Sequence, residues 1–212
     1  TMIKVASPNI RDEDCAAVVA ALRSGQLASG PVARAFEEAF ADYNGTAYAV
    51  AVNSGTAALH AALDAAGVGP GDEVVVPAMT FFSTVTSVIH QGGIPVFADV
   101  SADNFCLDPE DLERAISDRT KAVIPVHYFG HRADMDRIMA IATRSGLAVI
   151  EDCAQAHGTE YRGEKVGSIG HFGAFSLFAT KHMTSAEGGV ITTNDEKFAN
   201  RMKSFRSHGM EG

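Results

Sequence analysis

"KAVIPVHYFGHRADMDRIMAIATRSGLAVIED", residues 121–152, holds the pattern that decides the fold. It begins with one apolar run, "KAVIPVHY", and ends with another, "LAVIED", that closes on two carboxylates. Between them "ADMDRIMAIATRSG" reads as a helix. Neither run alternates apolar with polar residues. Continuous apolar strands joined by a helical crossover are the mark of parallel strands buried on both faces.

The same rhythm extends in both directions. "EVVVP" (73–77) and "IPVFADV" (94–100) read as strands, separated by a helix over 81–93 that stops at two glycines. "DPEDLERAI" (108–116) is a helix with proline in its first turn. Upstream, 31–45 reads as a helix with Phe36, Phe40 and Tyr43 on one face. It is followed by the short strand "YAVAV" (48–52) and an Ala-rich helix over 57–67. Residues 12–24 read as a separate helix with Val18, Val19 and Leu22 on one face, joined through the Gly/Pro-bearing link "QLASGPVAR". Downstream, "YRGEKVGSIGHFG" (161–173) breaks the rhythm and reads as a surface hairpin or loop. Ala174–Phe178 and Gly189–Thr193 read as buried strands, and 195–209 as a final amphipathic helix. The expectation is an α/β protein: a three-layer, doubly wound, mostly parallel sheet over residues 31–212, preceded by a helical segment at 1–30.

Composition narrows the function. The 212 residues are 46% hydrophobic and 20% charged, which suits one globular domain, or one large domain and part of a second. A formal charge of −9 argues against a general nucleic-acid binder but leaves room for a local basic pocket. No run of about eighteen apolar residues predicts a membrane span, and the first residues lack an apolar signal core, so a cytoplasmic protein is the simplest expectation. Three scattered cysteines make neither a disulfide framework nor a CxxC metal site, and the eight histidines show no HExxH pattern; no metal is expected. Asn44-Gly45-Thr46 matches a glycosylation sequon but reads as a turn. "GVGPGD" lacks the dinucleotide-binding spacing, and "GTEYRGEKVGS" fails as a P-loop because Glu164 separates Gly163 from Lys165.

Three features fall where strands end, the edge at which open α/β sheets bind ligands. Ser54, Gly55 and Thr56 leave a strand and enter a helix, which makes either an ordinary N-cap or a phosphate cradle. Asp152 ends an apolar strand, where its carboxylate must find a cationic partner or else serve as a cap or surface ion pair. Glu151 beside it should point the other way. Lys181 stands among apolar and small residues; there it either snorkels to water or loses affinity for its proton and becomes the nucleophile of a Schiff base. One ligand needs all three: a phosphate, a basic ring nitrogen and an aldehyde, as in pyridoxal 5′-phosphate (PLP).

With these residues in place, the chain resembles the DegT–StrS family of sugar aminotransferases, PLP enzymes of fold type I. The likeness runs through "FEEAFADYNGTAYAVAVNSGTAALHAAL", "GDEVVVPAMTFFSTVTSV", "PVHYFG", "VIEDCAQAHGTEYRGEKVGSIG", "FSLFATKHMTSAEGGVITT" and "RSHGM". The resemblance implies that 31–212 is the PLP-binding large domain. It assigns Lys181 to the Schiff base, Asp152 to the pyridinium nitrogen, Gln155 to the ring hydroxyl and Phe81 to the ring face. Gly55, Thr56 and Ser176 fall to the phosphate, with Ser54 alongside them. It further implies a homodimer that takes an amine from glutamate and gives it to a ketone on a nucleotide-linked deoxysugar or a cyclitol. Some members carry histidine in place of the lysine and dehydrate sugars; here the lysine is present and His182 follows it. Members are nearly twice as long, so the smaller C-terminal domain is expected to be absent from these residues. A PLP-binding fragment without turnover, or a sugar dehydratase, are the alternative readings.

Overall fold

The computed structural model describes residues 6–210. In chain order the elements are α1 (Asp12–Ser24), α2 (Pro31–Asn44), β1 (Tyr48–Val52), α3 (Gly55–Ala65), β2 (Glu73–Pro77), α4 (Phe82–His90) and β3 (Ile94–Ala98). They continue with α5 (Pro109–Ala115), β4 (Thr120–Val123), α6 (Met135–Ser145), β5 (Ala148–Asp152), β6 (Glu160–Tyr161), β7 (Glu164–Lys165), β8 (Phe172–Ser176), β9 (Gly189–Thr193) and α7 (Glu196–Arg206).

Seven strands form one sheet in the order β1-β9-β8-β5-β4-β2-β3. The crossovers through α4 and α6 make β2–β3 and β4–β5 parallel, and β2–β4 and β5–β8 are parallel as well. β9 departs from this pattern, running antiparallel to both β8 and β1. A short return from β8 explains it: the twelve residues between the two strands hold no helix to serve as a crossover. Apolar runs cannot reveal strand direction when both faces are covered in either case.

The two faces carry separate cores. One packs Leu59, Leu63, Val88 and Met202 of α3, α4 and α7 on Val74, Ile150, Phe172 and Ile191 of the sheet. The other packs Leu112, Met135, Ile138 and Ile141 of α5 and α6 on Val75, Val123 and Val149. Phe40 of α2 extends the second face against Phe175 and Val190. Fully burying one such aliphatic side chain contributes about 1.5–3 kcal/mol, so either layer would leave the sheet poorly covered without the other. The fold is therefore the three-layer, doubly wound arrangement, with a mostly parallel sheet.

Four local readings change. Val18, Val19 and Leu22 of α1 are exposed rather than packed, and α1 buries none of its residues among the described ones. β3 lies at the sheet edge, so Ile94 and Phe97 are exposed despite the apolar run. The run 121–128 is a regular strand only over β4; beyond it, Val126 makes one bridge to Asp152. The stretch 161–173 is a surface hairpin only in its first part (β6–β7): Val166 and Gly167 are buried and Phe172 already belongs to β8. Asn44 ends α2 and Gly45 closes it in the left-handed region, φ 74°, so the sequon is a helix terminus.

Candidate active site

The carboxyl ends of β1, β5 and β8 and the first turns of α3 and α4 converge on a cavity of about 300 Å³. Ser54, Gly55, Thr56, Phe81, Asp152, Gln155, Ser176 and Lys181 all line it. Thr80, Ser83, Val126, Tyr128, Thr180 and Glu187 line it too, and nothing in the residue pattern had marked them.

At one pole, Ser54 caps α3, its hydroxyl accepting from Ala57 N–H at 3.0 Å. The cap therefore exists, and the helix start it builds opens on the cavity. Gly55 packs so closely on β8 that a Cβ there would lie 2.8 Å from the Ser176 Cβ. Only glycine allows this approach, which brings free N–H groups of α3 next to the Ser176 hydroxyl. Gly189 of β9 is confined in the same way by the Ser54 carbonyl. The Thr56 hydroxyl donates to Ser83 Oγ at 2.9 Å, leaving the Ser83 proton to point elsewhere. Hydroxyls and unpaired helix N–H groups in one concavity suit an anion.

At the other pole, Asp152 is buried, 6% exposed. Its Oδ2 accepts from Thr84 Oγ1 at 2.8 Å and its Oδ1 from Ala154 N–H at 3.1 Å. Loss of water pushes its pKa up, opposed by the Thr84 and Ala154 hydrogen bonds and by the charges of Lys181 and His127. Gln155 is fixed by its Oε1, which accepts from Phe129 N–H at 3.0 Å, so its amide N–H₂ remains a donor. Phe81, 59% exposed, stands at the N-cap of α4 over the cavity.

Lys181 follows β8 in a turn closed by its own N–H to Phe178 O at 2.9 Å. The side chain is half-buried, and burial lowers its pKa while the Asp152 charge raises it. A lysine so placed reaches its neutral, nucleophilic form more readily than one in water.

Neither His127 nor His157 lines the cavity. His127 is fully buried on the opposite face of the sheet; its Nδ1 accepts from Ala133 N–H and its Nε2 donates to Glu151. Both ring nitrogens of His157 are buried without a hydrogen-bond partner, and its ring lies 5.7 Å from that of His182. Burial first, then the charges of His182 and Lys181, bring its pKa down to about 4. His127, Glu151 and Cys153 also bring three ligand-type atoms within 4.8 Å of one another. Backbone donors already occupy both Glu151 oxygens, so the cluster is a packed hydrogen-bond network.

Comparison with known proteins agrees with this geometry. The sequence pattern of the DegT/DnrJ/EryC1/StrS aminotransferase family matches residues 8–212. The chain is 48% identical over 203 residues to the spore coat polysaccharide biosynthesis protein SpsC of Bacillus subtilis, covering 96% of this chain and 52% of that protein. It is 45% identical over 210 residues to GDP-perosamine synthase of Caulobacter vibrioides, covering 99% and 57%. The PLP form of a putative sugar aminotransferase, Spr1654 of Streptococcus pneumoniae, superposes with a TM-score of 0.94 at 35% identity, covering 99% of this chain and 59% of that one. The chain thus spans a little over half the length of the relatives it matches.

Proposed function

This chain belongs to the DegT/DnrJ/EryC1/StrS aminotransferase family, and from that premise we propose that it binds PLP and carries amine transfer from glutamate to a keto group of a nucleotide-linked deoxysugar or a cyclitol. One observation carries the reading: a desolvated lysine and a buried aspartate open on the same cavity, with a glycine-shaped anion cradle at its other pole.

The residues fit the cofactor. The Gly55–Ser176 approach leaves N–H groups and a hydroxyl for a phosphate, in space that a Cβ would fill. Asp152 keeps acceptor capacity beyond its two donors and is the partner for a protonated ring nitrogen. Gln155 keeps an amide donor for the ring hydroxyl, and Phe81 supplies an apolar plate. PLP, when bound, supplies an aldehyde for the amine and a protonated ring that withdraws the electron pair left on the donor carbon.

The chain's own groups do the rest. Lys181 would hold the aldehyde end and, with its amine free, would carry a proton off the donor carbon in one half-reaction and onto the acceptor carbon in the other. Asp152 holds the ring-nitrogen proton in place. The enclosing wall of Leu59, Val126 and Tyr128 limits water around both groups. The names of the relatives, a GDP-sugar synthase and a polysaccharide biosynthesis protein, support a nucleotide-linked sugar as acceptor. The same reading makes residues 31–212 the PLP-binding domain of a cytoplasmic homodimer. Among the described residues, no helix is long and apolar enough to cross a membrane.

Adding glutamate to the PLP-loaded protein tests the proposal. The expected result is loss of the yellow aldehyde form with equimolar release of 2-oxoglutarate. A bound cofactor that glutamate leaves unchanged contradicts amine transfer from this donor.

A further inference from the structure

We infer that Thr84, backed by Thr80, is a positioning residue that locks the Asp152 carboxylate in register with the ring of Phe81. The lock follows from geometry; its consequence for catalysis rests on the PLP reading above.

Thr84 is fully buried in the first turn of α4. A buried helical threonine commonly turns its hydroxyl back to a carbonyl of its own helix. Ser87, one turn later, does this by donating to Thr84 O at 3.1 Å. Thr84 instead reaches across to β5 and donates to Asp152 Oδ2 at 2.8 Å. A hydroxyl has one proton and an ionised carboxylate only accepts. The 2.7 Å contact between the Thr80 and Thr84 hydroxyls therefore runs from Thr80 to Thr84. The order Thr80 → Thr84 → Asp152 leaves the Thr80 oxygen as an acceptor on the cavity wall.

The carboxylate is thereby held at both oxygens, by α4 at Oδ2 and by the loop after β5 at Oδ1. The Thr84 N–H bonds to Phe81 O at 3.1 Å, so the plate and the clamp share one helical turn. A hydrogen bond across 68 residues of sequence thus ties the element carrying the ring plate to the strand carrying the acid. Lys181 and His127, from the segments after β8 and β4, are the charged or titratable groups that also act on Asp152.

The test is a ¹³C NMR titration of the Asp152 carboxyl in the 212-residue chain without PLP, paired with PLP affinity. Thr84→Val should raise the Asp152 midpoint by about one pH unit, a tenfold change in proton affinity for one charge-assisted hydrogen bond lost. Thr84→Ser should restore it, Thr80→Val should raise it by less, and Phe81→Ala should leave it in place. PLP should bind about tenfold more weakly to Thr84→Val and normally to Thr84→Ser. An unmoved midpoint in folded Thr84→Val overturns the lock; if that variant does not fold, an unmoved midpoint in Thr80→Val does so. A midpoint that moves in a parent chain that takes up no PLP leaves the lock standing and removes the cofactor reading instead.

Discussion

Glu151 and Asp152 are neighbours on β5, both carboxylates, both buried, and the sheet sends them to opposite sides. Glu151 faces the second core. Its Oε2 accepts from Gly167 N–H and His127 Nε2, and its Oε1 from Ile169 and Gly170 N–H, all within 2.9 Å. Those four donors fill its acceptor sites and fold the 166–170 segment against the strand. Asp152 faces the cavity with two donors and capacity to spare. The histidines differ in pairing too: His127, beside Glu151, has both nitrogens paired, and His157, which does not line the cavity, has neither. Saturation marks a group whose charge organises the fold. Partial satisfaction inside a cavity marks a group kept for a ligand.

The largest expected effect tests the saturated side. Glu151→Ala strands three backbone N–H groups and the His127 ring in a dry core, and should cost about 3–5 kcal/mol in denaturant unfolding. A loss below about 1 kcal/mol would dissolve the contrast. Asp152→Asn should do the reverse. Its folded pKa is raised by burial, so the folded chain holds that proton more tightly than the unfolded one. The associated stability is present below the ordinary carboxylate value and is lost as pH rises through the raised one. Asn removes that cost, so the cofactor-free variant should melt at a higher temperature at neutral pH, while amine transfer falls about a hundredfold, or about 3 kcal/mol of barrier. Lower thermal stability, or a rate near wild type, would count against a carboxylate reserved for a ligand.

His157 sharpens the comparison with a smaller effect. Its folded pKa is about 4, against an ordinary 6.5. The unfolded chain binds the extra proton between these values, so stability held above pH 6.5 is lost as pH falls toward 4. His157→Phe should remove about 3 kcal/mol of that pH-dependent change at most, read from urea unfolding at several pH values. An unchanged slope would mean that the ring is hydrated in solution.

Much of this was legible in the sequence because it depends on local rules. Strand alternation sends Glu151 away from Asp152, and the apolar runs with intervening helices give the doubly wound sheet. The direction of β9 was not legible, since a strand covered on both faces looks the same either way round. The exposure of Val18, Val19 and Leu22 escaped the pattern because helical spacing shows an apolar face without showing what covers it. The burial of Val166 and Gly167 depends on Glu151 gathering the N–H groups of Gly167, Ile169 and Gly170. Thr84 was invisible for a similar reason: a threonine near a helix start looks ordinary until its partner, 68 residues away, is in place.

The most direct measurement is to load the protein with PLP, reduce it with borohydride, digest it and identify the modified peptide by mass spectrometry. A phosphopyridoxyl group on Lys181 is expected, with no fixed cofactor in Lys181→Ala. A label on another lysine, or one that persists in that variant, would contradict the assignment of Lys181.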